Sequence, residues 1–336
     1  MRRPYRRISR VYAVTIATPL HVVTGKGGTG KTTVAAALAT ALAQSGQRVL
    51  LCEVEGRQGI AQLFDVPPLP YEERKIAMGL GGGDVYALAV DAESALLEYL
   101  QMYYRLGRAG KALDRFGIID FATTIAPGVR DVLLTGKVYE AAKRREGKDF
   151  SYDAIVLDAP PTGRIARFLN VNEEVAGLAK VGPVRRQANS IMEMMRSSST
   201  RVHLVTVLEE MPVQETLDGI AELKDTRLPV GHVIVNLVRG ALIGAETAEA
   251  LESGRLGRKQ VAAALSKVAV DPAAADDLIA TGHAHLQRQA LQESQREVLA
   301  TSGQPTVELP LLGDAIDQGA LFELAEILRD SVLEDA

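Results

Sequence analysis

Residues 25–33 read GKGGTGKTT: Gly25, Gly27, Gly28 and Gly30 are interleaved with Lys26 and Lys31 and with Thr29, Thr32 and Thr33. Glycine lets the backbone take positive φ and bring successive N–H groups onto an anion. An apolar strand pattern, LHVVT, precedes the run, and an Ala-rich helical pattern closed by Gly46 follows it. A helix beginning near Lys31 adds the positive end of its dipole. Strand, Gly-rich loop and helix in that order are the setting a phosphate-cradling loop requires. The chemistry expected is capture of Mg-ATP or a related triphosphate. Lys31 reaches the β- and γ-phosphates, Thr32 the Mg ion, and Thr33 the region of the α-phosphate. Lys26 has no obvious place on the same phosphates, because the glycine backbone occupies that side. It is available to reach a nucleotide on a partner subunit, or else it is a solvated surface lysine.

Two more strand-to-loop junctions carry carboxylates. DAIVLD, ending at Asp158, runs into APPTGRIARFL, and RVLLCE runs into VEGRQGIAQLF, with Glu53 and Glu55 in tandem. An acid ending an apolar strand beside a phosphate loop holds Mg through water, and Asp158 is assigned that role; such an acid can also cap the turn that follows. The Pro-Pro-Thr-Gly turn makes a stiff hinge with one free joint for a loop that senses the γ-phosphate. VIVNLVRG ends another apolar strand with Asn236. A guanine site of the NKxD kind needs an acid three residues on, and position 239 is Arg. Guanine is disfavoured, while Asn236 could also be an ordinary turn residue.

These elements must be positioned by an α/β fold, a mostly parallel P-loop sheet flanked by helices. Strand patterns occur at 20–24, 48–53, 85–90, 153–158, 202–207, 230–236 and 305–309. One P-loop domain is expected over 20–336, with helical insertions at about 91–149 and 240–303. Residues 1–19 read as a basic leader, expected to be disordered, and 66–84 as loop or short helix, mobile at the GLGGG run. Helix 93–106, ESALLEYLQMYYRL, is apolar around much of its circumference, whereas Ala188, Ile191, Met192 and Met195 share a helical face better suited to core packing.

Composition narrows the partners. The 336 residues carry 38 basic and 42 acidic side chains and only 4% aromatics, which argues against a nucleic-acid partner. No stretch approaches a membrane span, and the single Cys52 excludes an intramolecular disulfide and suits a cytoplasmic setting.

GKGGTGKTT, DAPPTGRIARFL, VTVLEEMPVQETL and VIVNLV, in this order, resemble the arsenite-transporting ATPase (ArsA) family, which includes the targeting factor for tail-anchored membrane proteins. Lys26 resembles the signature lysine of the wider group of deviant Walker-A ATPases. The resemblance implies an ATP-hydrolysing dimer that handles a hydrophobic or membrane-protein client. It implies that Asn236 contacts adenine and that Pro310 and Leu311, in ELPLL, pack near the ring. The family places a water-activating Asp after the second strand; counting from VLL, Glu55 stands there, and Glu53 is its rival. Catalysis is therefore expected from Glu55 and Lys31, with Lys26 from the partner, in a homodimer or in a heterodimer with a paralogue. The longer carboxylate leaves a low-activity nucleotide-binding subunit as one alternative, and a division-site or partition-type ATPase as another. One cysteine cannot build a three-thiol arsenite site.

Overall fold

The computed structural model describes residues 18–104, 128–178, 183–313 and 316–333. The basic leader up to residue 17 thus lies outside the described residues, but Thr18 does not behave as leader. It is buried, its N–H donates to the Ala142 carbonyl and its hydroxyl to the Tyr152 carbonyl.

In chain order the elements are β1 (Leu20–Gly25), α1 (Lys31–Gln44), β2 (Arg48–Glu53), α2 (Gly59–Leu63), β3 (Arg74–Met78), β4 (Asp84–Ala89), α3 (Ala92–Tyr104) and α4 (Val129–Lys143). A short hairpin follows, β5 (Arg145–Glu146) and β6 (Asp149–Phe150), then β7 (Ala154–Asp158), α5 (Thr162–Leu178), α6 (Pro183–Met195), β8 (Thr200–Thr206), α7 (Glu210–Asp225) and β9 (Val230–Val238). The chain continues through α8 (Ala245–Glu252), α9 (Arg258–Lys267), α10 (Ala275–Ala300), β10 (Thr306–Pro310) and α11 (Gln318–Leu328).

Eight strands form one sheet in the order β10-β9-β8-β1-β7-β2-β4-β3, parallel except for the edge strand β3. Val, Ile and Leu fill both faces of β1 and β7, which are buried throughout, as strands covered by helices on both sides must be. One apolar layer joins Leu20, Val22, Leu50 and Leu157 to α4, α5, α6 and α7; the other joins Val23, Leu51 and Val156 to α1 and α11. Helix α1 lies against the sheet because its interior is mostly alanine: Ala35, Ala36, Ala37, Ala39, Ala41 and Ala43 are all fully buried. Gly46, at φ 86, closes it in the left-handed conformation that favours glycine.

The 66–84 segment departs from the loop or short helix expected of it. Arg74–Met78 pairs antiparallel with β4, while the glycine run 79–83 is turn, as expected, with Gly79 and Gly83 buried. A side chain at Gly79 would overlap the Ala43 carbonyl and one at Gly81 the Gln44 carbonyl, so these glycines permit backbone contact with the end of α1. Helix α3 covers most of the 93–106 stretch, and residues 105–127 of the first insertion lie outside the described residues. Ala188, Ile191, Met192 and Met195 are buried in α6, the core-packing use expected of them.

Candidate active site

The chain reverses its direction of sheet assembly at β1, which lies between β8 and β7, so a crevice opens at the carboxyl ends of these central strands. The Gly-rich loop leaves β1 there. Gly25 permits the close approach of β1 to β8, since a Cβ on it would overlap the Val205 carbonyl. The loop turns on Gly28 at φ 90 and Gly30 at φ 84, and is closed by the Thr29 hydroxyl donating to the Lys26 carbonyl at 2.9 Å. Gly30 also immediately precedes Lys31, the first residue of α1.

Asn236 sits under this loop. It is buried, and its amide nitrogen donates to the Thr29 carbonyl at 2.9 Å, close enough that a Cβ at Gly30 would collide with it. Leu237, the next residue, holds φ 58, a conformation that costs energy for a side chain of this size, at the end of β9. Thus Asn236 supports the backbone of the phosphate loop across 207 residues of sequence, a role its position at a strand end did not suggest. Pro310 pairs with Val238 at the end of β10, and the exposed Leu311 donates its N–H to the Val238 carbonyl, two residues from Asn236.

On the other side of the loop the carboxylates converge. The Thr32 hydroxyl donates to Asp158 Oδ2 at 2.7 Å, and Lys31 Nζ lies 3.6 Å from Glu55 Oε2, with Arg57 3.8 Å from the same oxygen. Asp158 and Glu53 are Cα partners on β7 and β2. Burial pushes the Asp158 carboxyl up to about 6; the Thr32 hydrogen bond and Lys31 oppose the rise, and Glu53 and Glu55 add to it. Pro160 and Pro161 are tied to the same place, with the Thr24 hydroxyl donating to the Pro160 carbonyl at 2.7 Å. The Thr162 hydroxyl at the head of α5 is buried without a hydrogen-bond partner among the described residues.

The donor set fits Mg. Thr32, Asp158 and Glu53 offer hard oxygens; Asp158 Oδ1 and Glu53 Oε1 are buried with no partner among the described residues. No group of three or more His, Cys, Asp or Glu is placed to cage a metal among those residues, and Mg needs none when phosphate and water complete its shell.

Lys26 differs from the free cation expected. Its Nζ is 2.6 Å from Glu215 Oε1 on α7, with the two side chains 32% and 39% exposed. It does point away from its own loop, but it has a partner within the same chain. An ion pair this exposed is worth no more than about 1 kcal/mol and can be exchanged for a better one. Cys52 is buried in the core, its thiol pushed up to about 12 by burial, and takes no part in the site.

A phosphate loop on the central strand of a parallel sheet, with a Thr–Asp pair beside its lysine, defines a P-loop nucleotide-binding protein. The family model described as "Anion-transporting ATPase" matches residues 19–201. ATPase BagA of Mycobacterium tuberculosis is 51% identical over 312 residues, covering 92% of each chain. A relative in Aquifex aeolicus whose assigned name is that of an arsenical pump-driving ATPase is 31% identical over 216 residues, covering 63% of this chain and 51% of its own. ATPase ARSA1 of Chlamydomonas reinhardtii is 24% identical over 306 residues, covering 75% of this chain and 38% of its own. The chain belongs to the anion-transporting ATPase family, the ArsA-type family its motifs resemble. No helix among the described residues is long and apolar enough to cross a membrane.

Proposed function

We propose that this chain is a cytoplasmic, Mg-ATP-driven dimer switch of the deviant Walker-A kind, closing two copies around nucleotide to handle a hydrophobic or membrane-protein client. The observation that carries the reading is the convergence of Lys31, Thr32, Asp158 and Glu55 at the loop, with Lys26 held outside it on Glu215. In this reading Lys31 neutralises the γ-phosphate, and the loop N–H groups orient the triphosphate. Glu55 accepts the proton of the attacking water once phosphate has drawn Lys31 away from it. Thr32, and Asp158 through water, would hold Mg, which would supply neutralisation of the phosphate charge. Lys26 leaves Glu215 for the nucleotide of the second copy, where the phosphate charge exceeds that of one carboxylate. Family membership supports ATP as substrate, with Asn236, Pro310 and Leu311 lining the base side.

The Lys31–Glu55 contact favours a second reading, a slow or regulatory subunit paired with a paralogue. It leaves the base partly neutralised by the lysine of its own site. The mass of the native protein, with and without a non-hydrolysable ATP analogue, separates these readings. A switch doubles in mass when the analogue and Mg are added, and Lys31→Ala abolishes both the doubling and Mg-ATP binding by calorimetry. A protein that stays monomeric at saturating analogue contradicts the self-paired switch, and wild-type affinity in Lys31→Ala contradicts the site.

A further inference from the structure

Glu53, an oxygen donor beside the Thr32–Asp158 pair, is among the most buried carboxylates described. It is 2% exposed at the end of β2, beside Asp158 at 6%. Two neighbouring carboxylates in a low-dielectric interior repel each other unless a cation or a shared proton stands between them. Each uses only one oxygen. Asp158 Oδ2 accepts from Thr32, and Glu53 Oε2 accepts from the Ile60 N–H at 3.4 Å, while Asp158 Oδ1 and Glu53 Oε1 have no partner among the described residues.

Ile60 belongs to the first turn of α2, the short helix that follows the loop carrying Glu55. That turn rests on the same threonine: a Cβ on Gly59 would lie 3.1 Å from Thr32 Cγ2. Glu53 therefore joins two places, with one oxygen on the backbone that follows Glu55 and the other free beside Asp158.

We propose that Glu53 is a positioning residue, its free oxygen holding the water shell of Mg alongside Asp158 while its bound oxygen fastens the start of α2. Occupancy of the metal site then sets the loop that carries Glu55. The inference rests on the Mg-ATP reading above. Mg keeps several waters and takes one or two carboxylates, and groups that orient its shell typically change metal affinity by ~10- to 100-fold when removed.

The test uses the full chain saturated with a non-hydrolysable ATP analogue. Mn2+ is titrated as the probe, and its free signal is read by electron paramagnetic resonance. Glu53→Gln keeps the shape and the contact with Ile60 but removes the charge; its Mn2+ affinity is expected to fall ~10-fold or more. Its affinity for the analogue in excess EDTA is expected to stay within roughly twofold of wild type. In the wild type, hydrogen exchange at residues 54–63 is expected to slow when Mg2+ joins the analogue complex. Wild-type Mn2+ affinity in Glu53→Gln overturns the proposal. If that variant does not fold, the wild-type exchange comparison decides, and no Mg-dependent protection at Ile60 overturns it. A wild type that binds the analogue but no Mn2+ overturns both this inference and the Mg-ATP reading.

Discussion

Replacing Asn236 by alanine separates two uses of one side chain. In the structure its amide nitrogen donates 2.9 Å to the Thr29 carbonyl inside the phosphate loop, both residues being almost fully buried. Removing the donor orphans a buried carbonyl, which costs about 1–3 kcal/mol, and opens space beneath Gly30. The loss falls on the folded protein without any ligand, so the urea midpoint of the nucleotide-free chain drops. It also falls on the geometry of the loop N–H groups. If half of it, about 1.4 kcal/mol at the upper end, appears in binding, phosphate affinity weakens by about tenfold. Tripolyphosphate, which has no base, isolates this effect. Loop support predicts that Asn236→Ala weakens tripolyphosphate and ATP by the same factor in calorimetry. Adenine contact adds a further loss for ATP alone and narrows its preference over GTP, which in the wild type is expected to reach at least about tenfold. Unchanged tripolyphosphate affinity together with unchanged stability would refute the loop-support argument.

Other perturbations probe the electrostatics. Glu215→Gln removes the partner that holds Lys26 within its own chain; stability is expected to change by less than about 1 kcal/mol, while pairing of copies, followed by light scattering, sets in at lower analogue concentration. A higher requirement for the analogue would mean that Glu215 assists pairing. Three histidines stack across β1, β8 and β9: His21 Nδ1 lies 3.1 Å from His203 Nε2, and His203 Nδ1 accepts the backbone N–H of His232. Burial lowers His21 to about 4, with Arg201 and then His232 adding to the effect, and burial lowers His203 well below its ordinary value. The unfolded chain thus binds more protons between about pH 4 and 6.5. The neutral stack stabilises fully above that window and loses its effect as pH falls through it, by about 3 kcal/mol for His21. Urea unfolding of wild type and His21→Gln at pH 7 and pH 4.5 is expected to show a weaker pH dependence in the variant; equal dependence would contradict the burial argument.

What could be read in advance was whatever lies close together in the chain. GKGGTGKTT announces itself because loop, lysine and helix start are contiguous, and Asp158 because a carboxylate ends a run of β-branched and apolar residues. The buried parallel strands were legible for the same reason. Strand β3 was not, since RKIAM at a sheet edge is largely exposed and lacks the unbroken apolar run of a buried strand. Its position depends on glycines that close against α1, a long-range contact. The same limit applies to the site. Lys26 finds Glu215 across 189 residues, and Asn236 finds Thr29 across 207. Glu53 could be weighed only as an alternative base for Glu55, because its neighbour Asp158 is supplied by strand order, not by spacing.

Steady-state ATP hydrolysis by mixed protomers tests most directly the claim that two copies share their sites. Under this proposal Lys26→Ala removes the cation each copy would lend to the other, and Glu55→Gln removes the base each would keep for itself. Each variant alone is expected to bind ATP near wild-type affinity, with turnover lower by ~10²-fold or more for loss of the base. A mixed dimer has one site that retains both its own Glu55 and the lysine of its neighbour. Mixing the two variants, with the mixed species confirmed by native mass, is therefore expected to restore hydrolysis well above either variant alone, approaching half the wild-type rate per mixed dimer. Mixed dimers no more active than their parents would contradict the shared-site account, and a wild type without measurable turnover would leave the paired regulatory subunit as the better description.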